Sequence, residues 1–176
     1  MSSSTAIETE KTHACRLTKD FELLRHSPLF SGLHLDVVKL FAYLSSRRTY
    51  QPGDVLIQQG EKADRAFVLS DGSAEMTVLH KGREVLLQRH KKEEFFGELA
   101  LLAQFTWFFS VKAVTMVEAL VIDRAVFQKV LEKFPGEKDK LIERVIQQRV
   151  NRLIEQTSFM LDKLAPTDEI PDTPLI

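Results

Sequence analysis

The sequence lacks most of the features that mark secreted, membrane-spanning or metal-binding proteins. Its single cysteine, Cys15, cannot form an intrachain disulfide, which favours a reducing, cytoplasmic setting. It has no run of about 18 apolar residues and no basic flank with an apolar core at its start, so we expect neither a membrane protein nor a secreted one. The 5 histidines show no metal-ligand spacing and have no cysteine neighbours, so we expect no metal site.

A charge excess and the motifs of common enzymes are also lacking. The 24 basic residues nearly cancel the 25 acidic ones, so the chain has no strongly basic surface of the kind that binds nucleic acid. The residues after Leu164 are too few for a helix-turn-helix domain and include the acidic Asp168, Glu169 and Asp172, so we expect no DNA partner. No glycine-rich phosphate loop with lysine, nucleophile elbow or kinase signature is present, and we expect no enzymatic activity.

What the sequence contains is enough for one domain with a tail at each end. The 176 residues are 44% hydrophobic, which suffices for one core. Residues 1–16 are rich in Ser, Thr and Glu and have few large apolar groups, so we expect a disordered tail there. Residues 165–176 contain Pro166, Pro171 and Pro174, and we expect a second irregular tail. The predicted domain is therefore residues 17–164.

Three blocks divide this domain. Residues 17–46 carry apolar residues at three- and four-residue spacings, which predicts two helices separated at Ser27 and Pro28. Residues 47–123 predict a β-roll, because short apolar runs alternate with turns that contain glycine. Residues 124–164 predict two further helices, divided by a proline–glycine pair. The predicted strands cover residues 54–57, 66–69, 75–79, 85–89, 107–113 and 118–122.

The last predicted helix, from about residue 137 to Leu164, carries an apolar stripe. Its members recur at spacings of four or three, as in a coiled-coil seam. The stripe consists of Ile142, Ile146, Val150, Leu153, Thr157, Met160 and Leu164. Because a helix of about 40 Å at 1.5 Å per residue is longer than a small barrel, the pattern favours a homodimer through this helix. The alternative is that the stripe packs on the β-roll of its own chain.

The most informative stretch is Phe96-Gly97-Glu98-Leu99-Ala100-Leu101-Leu102, called the 96–102 segment below. Good helix formers follow a glycine here, which predicts a short helix that starts inside the β block. A helix start offers free backbone N–H groups to an anion, and Gly97 allows a ligand to approach the backbone closely. Glu98 could accept hydrogen bonds from ligand hydroxyls such as those of a ribose. The alternative is that Glu98 only complements the helix dipole.

The order of helices, the glycines at 53, 60 and 72, and the 96–102 segment resemble the cyclic-nucleotide-binding domain family. That family includes kinase regulatory subunits, catabolite-activator regulators and gated ion channels, and the likeness runs from the turn at residues 28–30 to the last helix. The resemblance implies a mainly β fold, an eight-stranded double-stranded β-helix (jelly roll) with N-terminal helices, a short cassette helix and a long C-terminal helix. It also implies a phosphate-binding cassette, with the backbone of Gly97, Leu99 and Ala100 near a cyclic phosphate and Glu98 on the ribose.

The chain departs from the family at one position. In the family an arginine about nine residues beyond the glutamate pairs with the cyclic phosphate, and counting from Glu98 reaches Trp107 instead. Loss of a buried charged partner costs ~2 to 5 kcal/mol, or tens- to thousands-fold in affinity. Trp107, Phe108 and Phe109 could line a site for a flat ligand, or they could fill the site.

Three interpretations of this site follow. It is a weak or atypical cyclic nucleotide site, a site for another small ligand, or a structural pseudo-site that binds none. We therefore expect a non-enzymatic regulatory module, in which a ligand at the 96–102 segment changes the C-terminal helix and so acts on a protein partner that the sequence does not identify. The alternative is a ligand-free dimeric interaction scaffold with the same fold.

Overall fold

The described part of the chain contains five helices and eight strands in the predicted block order. The structure is a computed structural model that describes the backbone of residues 3–164 and the side chains of residues 15–163. The helices are α1 (Ser3–His26), α2 (Leu35–Leu44), α3 (Leu99–Leu102), α4 (Arg124–Lys133) and α5 (Pro135–Leu164). The strands are β1 (Ser46–Tyr50), β2 (Val55–Ile57), β3 (Arg65–Asp71), β4 (Ala74–His80), β5 (Arg83–His90), β6 (Phe95–Phe96), β7 (Ser110–Ala113) and β8 (Val117–Asp123).

Two four-stranded antiparallel sheets form the β-roll. The first sheet has the strand order β1-β8-β3-β6 and the second has β2-β7-β4-β5. β3 is apolar at every position from Ala66 to Leu69, because both faces of the first sheet are covered. Ala66 and Val68 face the helices, whereas Phe67 and Leu69 face the interior of the roll. The predicted eight-stranded jelly roll with flanking helices is confirmed.

Two apolar clusters hold the domain together. One lies between the first sheet and the helices and includes Phe30 and Phe41, whose ring centroids are 5.0 Å apart, together with Phe127 and Val145. The other lies inside the roll. Its fully or nearly buried aromatic members are Phe67, Phe96, Trp107 and Phe109. The 96–102 segment connects the two clusters, because Leu101 belongs to the first and Ala100 to the second.

The predicted helix boundaries hold inside the domain and differ at its start. α1 ends at His26 and α2 begins at Leu35, so the break at Ser27 and Pro28 occurs as expected. Residues 3–16, predicted as part of a disordered tail, belong to α1. Their polar residues continue a helix that Leu24 anchors in the core, and a helix already nucleated extends at little cost. The predicted tail at residues 165–176 lies outside the described residues.

The strands differ more from their prediction. The sequence does not locate β1, whose residues are mostly polar, or β6, which has two residues. The strand predicted at residues 107–113 begins only at Ser110, because Trp107 lies in a loop that precedes β7. Across residues 3–164, no helix has both the length and the apolar character needed to cross a bilayer.

Candidate functional site

Gly97 makes the turn from β6 into α3. β6 pairs with β3, with Phe96 opposite Phe67. Gly97 has a φ of +83°, and a Cβ built on it would lie 3.0 Å from the carbonyl oxygen of Arg65. L side chains rarely adopt this backbone conformation, and a contact of 3.0 Å is tighter than most that a Cβ makes. The position therefore favours a glycine for both conformation and space.

Trp107 lies directly against this turn. Its backbone N–H donates to the carbonyl oxygen of Glu61 at 2.8 Å, and its carbonyl accepts from the N–H of Gly60 at 2.7 Å. The side chain is 5% exposed, and its Cη2 atom lies 3.4 Å from the position that a Cβ would take on Gly97. The indole therefore occupies the space beside Gly97 in the interior of the β-roll.

Other aromatic side chains extend this contact. The ring centroid of Trp107 lies 5.1 Å from that of Phe105 and 5.2 Å from that of Phe109. Ala100 belongs to the same cluster as Trp107 and Phe109, whereas Leu99 packs against the cluster on the helix side. Phe108 is 59% exposed, and its ring contacts the ring of Phe109 edge to face, with centroids 4.8 Å apart. The structure thus brings Gly97, Ala100, Trp107 and Phe109 together, with Phe108 at the exposed edge of this group.

Lys112 does not take the place of the arginine that the family pattern has at the position of Trp107. Its Nζ atom donates to Oε1 of Glu84 at 3.2 Å, on the outer surface of the second sheet. The same carboxylate oxygen accepts from the hydroxyl of Thr77 at 2.8 Å. These contacts lower the pKa of Glu84, first through Thr77 and then through Lys112. Lys112 is therefore held outside the interior of the β-roll, away from Gly97 and Trp107.

Glu98 is buried and paired with an arginine of α5. Its carboxylate oxygens lie 3.3 and 3.4 Å from Nη1 of Arg152. The Glu98 side chain is 4% exposed and that of Arg152 is 24% exposed. Nη2 of Arg152 donates to the carbonyl oxygen of Phe95. A buried carboxylate needs such a partner, so this contact attaches α5 to the start of the 96–102 segment.

Arg124 fixes the other end of the segment. It is the first residue of α4, and its guanidinium donates to the carbonyl oxygens of Ala100 and Ala103 at the end of α3. It also donates to the carbonyl oxygen of Ala63 in the loop before β3. Hydrogen bonds from a charged donor are stronger than neutral ones. Arg124 and Arg152 therefore hold the two ends of the segment from different helices.

His90 lies under the same segment. Its ring stacks on Phe96 with centroids 4.1 Å apart, and the residue is fully buried. Nδ1 lies 3.1 Å from Oε2 of Glu94, while Nε2 has no hydrogen-bond partner among the described residues. Burial lowers the pKa of His90, and the charge of Arg152 acts in the same direction, although Glu94 opposes both. Burial therefore disfavours the charged form of His90 in the folded protein.

The apolar stripe of α5 faces away from the β-roll. At 3.6 residues per turn, Arg152 shares one side of the helix with Leu141 and Val145, which are buried, and the stripe occupies the other side. Its exposed members are Ile146, Val150, Leu153 and Met160, with 41 to 62% of their surface accessible. Packing of this stripe on the roll of its own chain is therefore not observed. The Leu164 side chain lies outside the described residues.

The two arginines that hold the segment, Arg124 and Arg152, were not predicted from the sequence. A signal for Arg152 was present, because Leu141, Val145, Gln148 and Arg152 follow each other at spacings of four and three. That second stripe is the face that packs on the domain, and a charged residue in it indicates a buried partner. Arg124 gives no comparable signal, since its acceptors are backbone carbonyls. Within the described side chains, no group of three His, Cys, Asp or Glu residues is arranged to hold a metal ion.

Comparison with known proteins gives one family match. The family model described as "Cyclic nucleotide-binding domain" matches residues 47–134, half of the chain. Among solved structures, the N-terminal domain of a transcriptional regulator from Streptomyces coelicolor A3(2) superposes with a TM-score of 0.66 and is 26% identical. That superposition covers 74% of this chain and 94% of the other.

Curated proteins with similar segments include a protein kinase and a kinase regulatory subunit. The human cGMP-dependent protein kinase 2 is 39% identical over 93 residues, which is 53% of this chain and 12% of the kinase. The cAMP-dependent protein kinase regulatory subunit of Schizosaccharomyces pombe is 30% identical over 109 residues, which is 62% of this chain and 26% of the subunit. The chain therefore matches only a small part of the length of either relative.

Proposed function

Because the chain belongs to the cyclic nucleotide-binding domain family, we propose that it is a non-enzymatic regulatory module of that family. In this proposal, a small ligand that engages the 96–102 segment changes the attachment of α5, and α5 carries the change to a protein partner. The single cysteine, Cys15, fits a reducing compartment such as the cytoplasm. The partner is identified only as a protein that contacts α5.

The contact between Arg152 and Glu98 carries this proposal. Arg152 reaches from the middle of α5 to both the Glu98 carboxylate and the Phe95 carbonyl oxygen. A ligand hydroxyl that bonds to Glu98 competes with Arg152 for the same acceptor. Because a ligand can bias only an equilibrium whose two states it binds differently, this competition gives the required difference. Beyond residue 150, the described hydrogen bonds between α5 and the β-roll are those of Arg152.

The phosphate corner of the site is closed in its present form. Trp107 fills the space beside Gly97 that a cyclic phosphate would need, and the arginine of the family pattern is missing there. We therefore expect the chain to bind cyclic AMP and cyclic GMP weakly, in the millimolar range, because the lost charge pair corresponds to ~2 to 5 kcal/mol. Trp107 also excludes the phosphate sterically.

Replacing Trp107 tests the site directly. Trp107→Arg restores the charge and Trp107→Ala opens the corner without it. If the rest of the site is intact, Trp107→Arg should bind cyclic AMP at least about tenfold more tightly than the native chain. Trp107→Ala, which removes the steric block and adds no charge, should gain less affinity than Trp107→Arg. The matched control is Phe108→Arg, which adds the same charge at the neighbouring exposed position. Calorimetric titration with cyclic AMP and cyclic GMP measures the difference.

These variants also show whether the chain can bind a cyclic nucleotide or shares only the fold of the family. Saturation at a hundredfold over the dissociation constant stabilises a protein by ~2.7 kcal/mol, which is readily seen as a rise in melting temperature. If Trp107→Arg folds and neither nucleotide raises its melting temperature, the cassette reading is wrong. Equal gains in Trp107→Arg and Phe108→Arg would also contradict it, since they would report a general charge effect.

A second candidate function has its own support. The aromatic filling of the roll and the exposed apolar stripe of α5 favour a ligand-free scaffold that dimerises through α5. Val150→Asp places a charge in the centre of the stripe, and we expect it to convert a dimer to a monomer in sedimentation while leaving the melting temperature of the β-roll unchanged. Tyr43→Asp, at an exposed apolar position on α2, is the control. A dimer that survives Val150→Asp excludes this seam.

A further inference from the structure

A cavity lies between α1 and the side of the first sheet that faces the helices. Its volume is about 790 Å³, which is ample for a small organic molecule. One wall consists of α1 and of Ser27, which follows it, and the other comes from β1, β3, β8 and residues 91–94 before β6. The described residues that line it include neither Trp107 nor any member of the 96–102 segment. The cavity is therefore separate from the candidate site described above.

α1 crosses the first sheet from β1 towards β6. Near β1, Oδ1 of Asp20 accepts a hydrogen bond from Nε of Arg47 at 2.8 Å. Beyond the other end of α1, the ring of Phe30 lies 6.1 Å from that of Phe95 in β6. Because the strand order is β1-β8-β3-β6, the cavity has a β1 end at Arg47, a middle at β8 and β3, and a β6 end at residues 91–94.

A buried hydroxyl at the β6 end has no partner. Ser27 is 3% exposed and lines the cavity, and its Oγ atom has no hydrogen-bond partner among the described residues. Its backbone groups are satisfied, since its N–H donates to the carbonyl oxygen of Leu24 at 2.9 Å and its own carbonyl accepts from Phe30 and Ser31 at 3.0 Å. Buried polar groups in native proteins are nearly always paired, so the Ser27 hydroxyl indicates a partner that enters the cavity.

The charged side chains of the cavity leave one negative charge in excess. Its carboxylates belong to Glu22, Asp71, Glu93 and Glu118. Its lysine and arginine cations belong to Lys19, Arg47 and Lys92. Asp20 on Arg47 and Arg25 on Glu22 add one charge of each sign and cancel. His26 also lines the cavity, with Nδ1 at 2.8 Å from the carbonyl oxygen of Glu22. A ligand with one net positive charge therefore complements the cavity.

Some of these charges have no ion pair within the described residues. Those side chains are Lys19, Asp71, Lys92 and Glu93. Lys92 and Glu93 lie at the β6 end with Ser27, because they belong to residues 91–94. Asp71 ends β3 opposite Glu118 of β8, so it lies in the middle of the cavity. The β6 end thus offers a cation, a carboxylate and a hydroxyl, and the middle offers a further carboxylate.

We propose that this cavity binds a basic α-amino acid such as arginine. The α-carboxylate accepts from the Ser27 hydroxyl and from Lys92, and the α-ammonium donates to Glu93. The side-chain cation reaches Asp71, because β6 and β3 are neighbours and adjacent strands lie roughly 4.8 Å apart. Such a ligand has one net positive charge and bridges α1 to the sheet. Because the cavity is separate from the 96–102 segment, the inference goes beyond the proposed function and does not depend on it.

The first test compares ligands on the full chain by calorimetric titration. Agmatine is arginine without the carboxylate, and citrulline is its analogue without the side-chain charge. We expect one arginine or lysine to bind per chain, and arginine to bind at least about fivefold more tightly than agmatine or citrulline. No saturable binding of arginine and lysine would overturn the proposal. Agmatine and citrulline that bind as tightly as arginine would also overturn it.

The second test removes the buried hydroxyl. Ser27→Ala should weaken arginine binding at least about threefold, whereas the melting temperature of the ligand-free chain should not fall, because the hydroxyl has no partner in the chain. Ser31→Ala, at an exposed position of the same turn, is the matched control and should leave arginine binding unchanged. A lower melting temperature with unchanged arginine binding would mean that Ser27 has a structural role only, and the proposal would be wrong.

The third test assigns the two ends of the ligand. Lys92→Gln should reduce the preference for arginine over agmatine at least about threefold, because it removes the partner of the carboxylate. Asp71→Asn should reduce the preference for arginine over citrulline by a similar factor, because it removes the partner of the side-chain cation. Lys129→Gln, at an exposed position on α4, is the control for a change of net charge. If Lys129→Gln changes these preferences as much as Lys92→Gln does, the effect is one of general charge and the assignment fails.

Discussion

Breaking the contact between Arg152 and Glu98 should destabilise the domain by a calculable amount. Arg152→Met keeps the length of the side chain and removes the charge, so the Glu98 carboxylate remains buried without its partner. Removing one member of a buried pair costs about 3 to 5 kcal/mol. Because the Arg152 side chain is 24% exposed, water already screens part of the interaction, and we expect the lower end, about 3 kcal/mol.

The change is measurable by urea denaturation and by melting. For a domain of this size, about 3 kcal/mol corresponds to a fall of roughly 6 to 12 °C in melting temperature, at 2 to 4 °C per kcal/mol. The m-value should stay constant, because the unfolded surface does not change. Arg149→Met is the control on the same helix, since the structure gives Arg149 no ion pair with any described residue, and it should change stability by less than about 0.5 kcal/mol.

A double-mutant cycle separates the pair from the loss of each side chain. Glu98→Gln removes the buried charge and keeps the shape, so the double variant Arg152→Met, Glu98→Gln should be more stable than the two single effects predict. A coupling of about 1 to 3 kcal/mol is expected for groups in direct contact. A coupling below about 0.5 kcal/mol would refute the reasoning, because it would mean that Arg152 does not hold α5 through Glu98.

Three further predictions concern residues around the same segment. The free energy of unfolding should fall as the pH drops below about 6.5, by up to about 1.4 kcal/mol per pH unit. The reason is that the pKa of His90 is lowered in the folded protein, so the unfolded chain binds the proton first. His90→Leu should flatten this pH profile in urea titrations, whereas His80→Gln, at an exposed position, should not. Gly97→Ala should lower the free energy of unfolding by about 1 to 3 kcal/mol or more, because it adds a contact at 3.0 Å to the strain of a positive φ. The control is Gly82→Ala, which has a φ of +76° in open space and should show the strain alone. Equal melting temperatures for the two variants would contradict the close approach at Gly97. Arg124→Met should lower the free energy of unfolding by at least about 2 kcal/mol, because it leaves three backbone carbonyls without their charged donor. The rate of hydrogen exchange in α3 should also rise. An unchanged rate would mean that Arg124 does not fix the segment.

The sequence predicted the fold because its local signals and its overall pattern agree. Short apolar runs bounded by glycine gave most of the β-roll, and β3 was located because its apolar run is continuous. β1 was missed because Ser46–Tyr50 is largely polar and is a strand only by its pairing with β8. The start of α1 was missed because polar residues extend a helix whose anchor lies at Leu24. Pairing and nucleation are properties of the fold and not of the local sequence.

The candidate site was predicted in part. Counting along the chain reached Trp107, and the structure places that side chain against Gly97. Strand alternation could not separate Phe108 from its neighbours, because residues 107–109 are not in a strand and each side chain follows its own loop conformation. The partner of Glu98 lies 54 positions away in sequence, on a helix whose more obvious apolar stripe faces outward. Long-range pairs of this kind cannot be read from spacing.

Arg152 explains how Glu98 remains buried beside the space that Trp107 fills next to Gly97. A buried carboxylate on a side chain that is 4% exposed requires a cation or donors, and Arg152 is the cation that the described structure provides. The position of α5 therefore depends on Glu98, with or without a ligand. A ligand that bonds to Glu98 in place of Arg152 can lower the free energy of releasing α5. The decrease is at most the difference between the binding free energies of that ligand for the released and the attached states. If Arg152→Met and a ligand both release α5, their effects on its hydrogen exchange should not add, because both remove the same contact.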